Sequence, residues 1–157
     1  MIFRRALCAA ALLAFACGYH RAEAQEAPHV ELLIMGKSFH VFNNTGYHFN
    51  DLNPGIGLEY RYPKGWFFGA VTYNDSYRKQ AFAAYVGYQL TAHVSSNWSV
   101  FAAARAGYIN GSGFNGPGIL PSVGVTYKRL SLEAQIIPKI KSNQSAAIGL
   151  YARWSFE

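Results

Sequence analysis

Charge is scarce in this chain. Only 14% of its 157 residues are Asp, Glu, Lys or Arg, against about 25% in an ordinary soluble domain. That is too little to wet the outside of a globule that is 51% hydrophobic. Long apolar runs are also missing. The ~18 consecutive apolar residues of a spanning helix occur nowhere, which excludes a helical membrane bundle. Cysteine is limited to Cys8 and Cys17, both near the N-terminus. Helical periodicity is absent beyond the first two dozen residues. Glycine (15), tyrosine (11) and phenylalanine (11) are plentiful, which argues against a coiled coil and against disorder. The length suits one domain, and the composition suits a β-rich domain with much apolar surface.

Residues 1–24 have the layout of a cleaved signal peptide. Arg4 and Arg5 precede an apolar run from Ala6 to Ala16, and Ala22-Glu23-Ala24 forms a small-x-small cleavage site. An alternative is lipidation at Cys17, although Phe15 suits that site poorly. Cleavage after Ala24 leaves residues 25–157 without a thiol, so no disulfide or Cys-based metal site is expected. It also removes Arg4, Arg5, Arg21 and Glu23, so the net charge falls from +6 to +4. A basic exported chain meets anionic lipid or polysaccharide; its scattered charges speak against nucleic acid.

The remaining chain divides into segments of about ten residues separated by turn signals. Strands are predicted at 30–42, 52–62, 66–75, 80–90, 98–108, 119–127, 130–138 and 145–156. Gly111 to Gly118 reads as a mobile loop. Several segments alternate. Phe82, Ala84, Val86, Tyr88 and Leu90 oppose Ala81, Ala83, Tyr85, Gly87 and Gln89. One face is apolar with aromatics near the strand ends, and the other is small or polar. This is the pattern of an all-β, eight-stranded antiparallel up-and-down transmembrane β-barrel. A soluble sandwich or lipocalin-like barrel is the alternative, but it needs more charge outside.

Glu59, Arg61, Arg105, Glu133 and Arg153 fall on the minority face and are expected to form an ion-pair cluster in the lumen, since buried charges persist only when paired. Gly55, Gly57, Ala81, Ala83, Gly87, Gly107 and Gly149 share that face. They leave space for a cavity, or they merely let eight strands close tightly. An up-and-down topology brings His40, at the end of the first strand, to the same long-loop rim as Asp75 and Ser76. Histidine near a hydroxyl and a carboxylate suggests acyl-transfer chemistry. Adjacent Asp75 and Ser76 would point to opposite faces of a regular strand, which argues against an ordinary Ser-His-Asp relay. His48, in the first long loop, is an alternative to His40; His93 belongs to the opposite rim and His29 precedes the barrel. No residues have metal-ligand spacing and no phosphate loop is present, so neither a metal nor another cofactor is expected.

These segments, in order, resemble the lipid A palmitoyltransferase family, the PagP type. The resemblance rests on Ser38-Phe39-His40, on Phe49-Asn50-Asp51 followed by Pro54-Gly55-Ile56-Gly57-Leu58, and on Tyr73-Asn74-Asp75-Ser76-Tyr77. Ala84-Tyr85-Val86-Gly87-Tyr88, Leu120-Pro121-Ser122-Val123-Gly124 and Ile136-Ile137-Pro138 extend it. It implies an enzyme of the bacterial outer membrane that moves a palmitoyl chain from a phospholipid to lipid A. It also implies a catalytic rim of His40, Asp75 and Ser76, and an acyl slot inside the barrel whose depth is set at Gly87. In that rim His40 is expected as the base or as the group that polarises the acceptor hydroxyl, Asp75 to orient or charge-stabilise His40, and Ser76 to position the substrate or stabilise the developing oxyanion. Pro121 and Pro138 would flank a lateral gate for lipid, because proline cannot donate to the ladder; Pro138 also reads simply as a strand end.

The sequence departs from the family in places. Only Gln25 to His29 precede the first strand, so no counterpart of the family's leading amphipathic helix is expected. A first-strand proline is missing, the first long loop is shorter, and Glu157 follows the terminal aromatic Phe156. A non-enzymatic small barrel for adhesion or membrane structure, and a lipid hydrolase using the same rim, are the rival readings. The expected partners are phospholipid, lipid A and the bilayer, with the barrel a monomer.

Overall fold

The computed structural model describes residues 27–41, 46, 48–139 and 146–156. The leader assigned to residues 1–24 lies outside them. Eight antiparallel strands close into a barrel in sequence order: β1 (His29–Val41), β2 (Leu52–Arg61), β3 (Trp66–Asn74), β4 (Gln80–His93), β5 (Trp98–Gly111), β6 (Phe114–Tyr127), β7 (Leu130–Ile137) and β8 (Ala146–Ser155). β1 pairs with both β2 and β8, so no edge strand remains.

One expected loop is a strand pair instead. Gly111 pairs with Phe114, and the β5–β6 hairpin turns through Ser112 and Gly113. Both have positive φ, 54° and 73°, the backbone of a type I′ turn that matches strand twist. The Gly-rich run from Gly111 to Gly118 thus extends β6 rather than forming a mobile loop.

The alternation read from sequence sends apolar side chains outward. Ile56, Leu58, Val86, Leu90, Ile119, Val123 and Leu132 are exposed on the outer surface. A continuous apolar belt of this kind belongs in lipid, not water. Aromatic pairs bound it at both rims. Trp66 meets Tyr88 at 5.0 Å and Trp98 meets Tyr127 at 4.7 Å at one end; Phe82 and Tyr108, 6.3 Å apart, lie toward the other. The barrel is therefore a transmembrane one.

The inside holds the charge. Glu59, Arg61, Arg105, Glu133 and Arg153 are all buried, together with Glu31. Three carboxylates and three guanidinium groups make the layer neutral. Arg105 Nη2 lies 2.8 Å from Glu59 Oε1, and Arg61 Nη2 lies 2.6 Å from Glu59 Oε2. Arg153 Nη1 reaches Glu31 at 3.1 Å and Glu59 at 3.2 Å, and Arg105 also pairs with Glu133. Phe67 lies beside Arg61 and Arg105, with their guanidinium carbons 4.4 and 5.0 Å from its ring centre. The layer spans the lumen, and a cavity lies on its His40 side.

Two measurements test this architecture. Glu59→Ala, which takes a carboxylate from three buried arginines, is expected to cost about 3–5 kcal/mol of stability, read by denaturant unfolding of the purified barrel in lipid. Val86→Arg, midway between the aromatic rims, should cost about 2–4 kcal/mol in the same assay, while Val94→Arg, in the turn beyond them, costs about 0–1 kcal/mol.

Candidate active site

His40 faces inward only because β1 carries an irregularity. Below it, Glu31 and Leu33 point into the lumen while Val30 and Ile34 point out. Continued alternation would send even-numbered His40 outward. At Gly36 the register slips against both neighbours: Met35 pairs with Tyr151 but Lys37 with Leu150, and Met35 pairs with Gly55 but Lys37 with Leu52. The phase then reverses. Ser38 becomes buried and Phe39 exposed, and His40 turns into the barrel mouth. Re-aiming a side chain is what a bulge does.

Ser76 arrives from the other side. β3 ends at Asn74, so Asp75 and Ser76 lie in a turn where strand alternation no longer applies, and both are buried. Ser76 Oγ is 3.0 Å from His40 Nε2. On the far side of the ring, His40 Nδ1 is 3.1 Å from Asp51 Oδ1. Phe49 stacks on the imidazole with ring centres 4.4 Å apart and planes 10° from parallel. The histidine side chain is only 10% exposed, whereas that of Asp51 is 53% exposed. A brace lies beside it: Ser38 Oγ donates to Asn53 Oδ1 at 2.6 Å, and Asn53 Nδ2 donates to the Asn74 carbonyl at 3.0 Å.

This geometry corrects the assignment of Asp75 as the partner of His40. Its carboxylate accepts the backbone N–H groups of Tyr77 and Lys79, each at 2.9 Å, and of Ser112 at 2.6 Å. Asp75 shapes the turn that carries Ser76 and ties it to the β5–β6 hairpin. Asp51 is the carboxylate on the imidazole, a residue quoted in the sequence pattern but given no role there. Its place two residues after Phe49, the aromatic that stacks on the histidine, is the signal that could have pointed to it. His48 is exposed, and His93 ends β4 at the opposite rim.

An apolar cavity of about 140 Å³ opens below His40 and Ser76. Leu33, Met35, Val71, Ala83, Ile109 and Ala147 line its walls, and Tyr85, Arg105 and Tyr151 lie at its floor. Gly107 and Gly149 border it. Gly87 does not. It pairs with Arg105 at the level of the charge layer, and a Cβ there would stand 2.2 Å from the Phe67 ring. Gly87 makes room for Phe67, so it is not the residue at which this cavity ends. Gly149 is different: a Cβ there meets only Ile137 Cδ1, at an ordinary 3.8 Å.

No protein-family model and no curated protein sequence matches the chain. Among solved structures it is similar to a chain from the de novo design of transmembrane β-barrels, with 12% identity, 83% of this chain and 98% of that one covered, and a TM-score of 0.49. Neisserial surface protein A shares 15% identity over 85% of this chain and 98% of its own, with a TM-score of 0.47. The Yersinia pestis outer membrane protein Ail shares 12% over 82% and 99%, with a TM-score of 0.41. These likenesses concern the fold alone.

Among the described residues, the β6–β7 ladder stops short beside the cavity. β6 and β7 pair from Tyr127–Leu130 only as far as Ser122–Gln135. Beyond that point Pro121 and the rest of β6 pair with β5 alone, and Ile136 and Ile137 pair with β8 alone. Pro138 follows β7 directly and, with Leu120 and Ile137, lines the cavity. Both prolines thus stand at a gap in the ladder, where a missing N–H costs nothing. Among the described residues no cluster of His, Cys, Asp or Glu is arranged to hold a metal ion.

The two carboxylates should separate by their effects on stability. Asp75→Ala deprives three backbone amides of their acceptor and is expected to cost about 1–3 kcal/mol. Asp51→Ala, which removes a carboxylate that is itself half exposed, should cost less than ~1 kcal/mol. Thermal unfolding of both variants in one detergent checks the order.

Proposed function

We propose that the protein is a bacterial outer-membrane acyltransferase, which moves a palmitoyl-type acyl chain from a phospholipid to lipid A or a related lipid. The observation that carries this reading is the Ser76–His40 hydrogen bond, 3.0 Å long, at the mouth of an apolar cavity enclosed by a membrane barrel. An acyl chain is the ligand whose chemistry fits such a cavity: it buries methylene groups, each worth about 0.8 kcal/mol, and leaves its ester at the polar rim. The gap beside Pro121 and Pro138 supplies a route from the bilayer that avoids the charge layer. The resemblance to lipid A palmitoyltransferases in the order of the rim motifs adds the donor and acceptor classes.

His40 is the base that takes a proton from a hydroxyl attacking the ester carbonyl. Asp75 holds the Ser76 turn in place. The cavity, not Gly87, limits the acyl chain, and Gly149 is the wall position with space for a larger side chain.

The test is a lipid assay on the purified mature barrel with labelled dipalmitoyl phosphatidylcholine and lipid A. Label should move to lipid A, and His40→Ala should reduce the rate by at least ~100-fold, the contribution of a positioned base, while the barrel remains folded by circular dichroism. Gly149→Leu should shift preference toward shorter acyl donors. Label appearing as free fatty acid would make the protein a hydrolase. No turnover from a folded barrel would leave a non-enzymatic membrane barrel.

A further inference from the structure

Within the acyl-transfer reading, on which this step rests, we propose that Ser76 is a covalent nucleophile that carries the acyl group as an ester, with Asp51 as the positioning residue for its base, His40. Three groups stand in line: Ser76 Oγ is 3.0 Å from Nε2, and Asp51 Oδ1 is 3.1 Å from Nδ1 of the same ring. An ionised Asp51 accepts a hydrogen bond, so Nδ1 carries the proton. Nε2 is then the acceptor, and the Ser76 hydroxyl donates to it. That is the tautomer a serine nucleophile requires.

The surroundings restrict other arrangements. Phe49 stacked on the imidazole limits its rotation. The Ser76 carbonyl accepts the Asn50 N–H at 2.9 Å, so the segment bearing Phe49 and Asp51 is tied to the turn bearing the nucleophile. Asp75 is committed to three backbone amides and is not available as a second base. Direct attack by an acceptor hydroxyl would require Nε2 to face that acceptor, whereas Nε2 faces Ser76.

The chemistry closes in two halves. The Ser76 Oγ–acyl carbon bond forms as the hydroxyl proton passes to Nε2. The ester bond to glycerol then breaks, and the leaving oxygen takes that proton, releasing a lysophospholipid. In the second half, a hydroxyl of the acceptor lipid gives its proton to Nε2 and attacks the acyl-Ser76 carbonyl. The Oγ–carbon bond breaks and Oγ recovers the proton. No other reagent is consumed.

Two readouts on the full mature barrel in detergent test this. One is labelling by a fluorophosphonate, which traps an activated serine without needing the lipid substrate. The other is the intact mass after dipalmitoyl phosphatidylcholine is added without acceptor. The expected results are one fluorophosphonate and one palmitoyl ester per chain, both mapped to Ser76, and both absent from Ser76→Ala and His40→Ala. Asp51→Asn should lower kcat and the labelling rate by about tenfold with KM unchanged, well short of the ~10⁴-fold loss for the aspartate of a serine protease, because Asp51 is half exposed and solvent screens it. Asp51→Glu should restore most of the labelling rate. Lipid turnover that survives Ser76→Ala within about tenfold would overturn the nucleophile and leave the acyl-transfer reading intact. If the wild type turns over no lipid, the acyl-transfer reading fails. Fluorophosphonate on Ser76 would then still establish the activated serine, and its absence would end this proposal too.

Discussion

The interior charge layer is the interaction on which the rest of the molecule depends. A barrel that turns its apolar residues to lipid must fill its lumen with something else, and here the filling is three carboxylates and three guanidinium groups. Removing so much charge from water is costly, and the cost is offset only when every group finds opposite charge at hydrogen-bond distance. Glu59 achieves this at the centre by meeting Arg61 on its own strand, Arg105 on β5 and Arg153 on β8. The layer links β1, β2, β5, β7 and β8 across the lumen and closes one half of the barrel.

Closing one half creates the other. Above Arg105 the wall carries small and aliphatic side chains, and the cavity they leave has a polar mouth and an ionic floor. Two local departures from ideal strand geometry then make it a candidate site. The slip at Gly36 reverses the phase of β1 and turns His40 inward. The end of β3 at Asn74 frees Asp75 and Ser76 from alternation, so one carboxylate builds the turn while its neighbour reaches the imidazole. A third departure is the β6–β7 ladder, which among the described residues stops at Ser122–Gln135 beside the cavity. Each occurs on the same side of the charge layer, and together they place a hydroxyl, an imidazole and an apolar chamber side by side.

Much of the fold was legible in the residues. Alternation in segments such as Phe82–Leu90 assigned outer and inner faces that the structure bears out, because a period of two leaves no ambiguity when one face meets lipid. The ion-pair cluster was legible for the same reason, apart from Glu31, on a strand whose faces were not assigned. The rim was legible in part. His40 and Ser76 meet across 36 positions of sequence, as the up-and-down topology requires. Asp51 was passed over in favour of Asp75, since adjacency to Ser76 in sequence says nothing about which carboxylate faces the ring. Gly87 was placed on the correct face but at the wrong depth. Alternation reports direction and not level, and the level is set by Phe67 packing against it.

By itself, the sequence determined the number of strands, the side faced by residues of the regularly alternating strands, and the need for an ion-paired lumen, because these follow from local periodicity and from the cost of unpaired charge. Only the tertiary structure decided that His40 turns inward, that Asp51 takes its Nδ1, that Asp75 is spent on backbone amides, and that the cavity ends above Gly87. These depend on the register between strands far apart in the chain and on a single slip at Gly36, and no pattern confined to one strand carries that information.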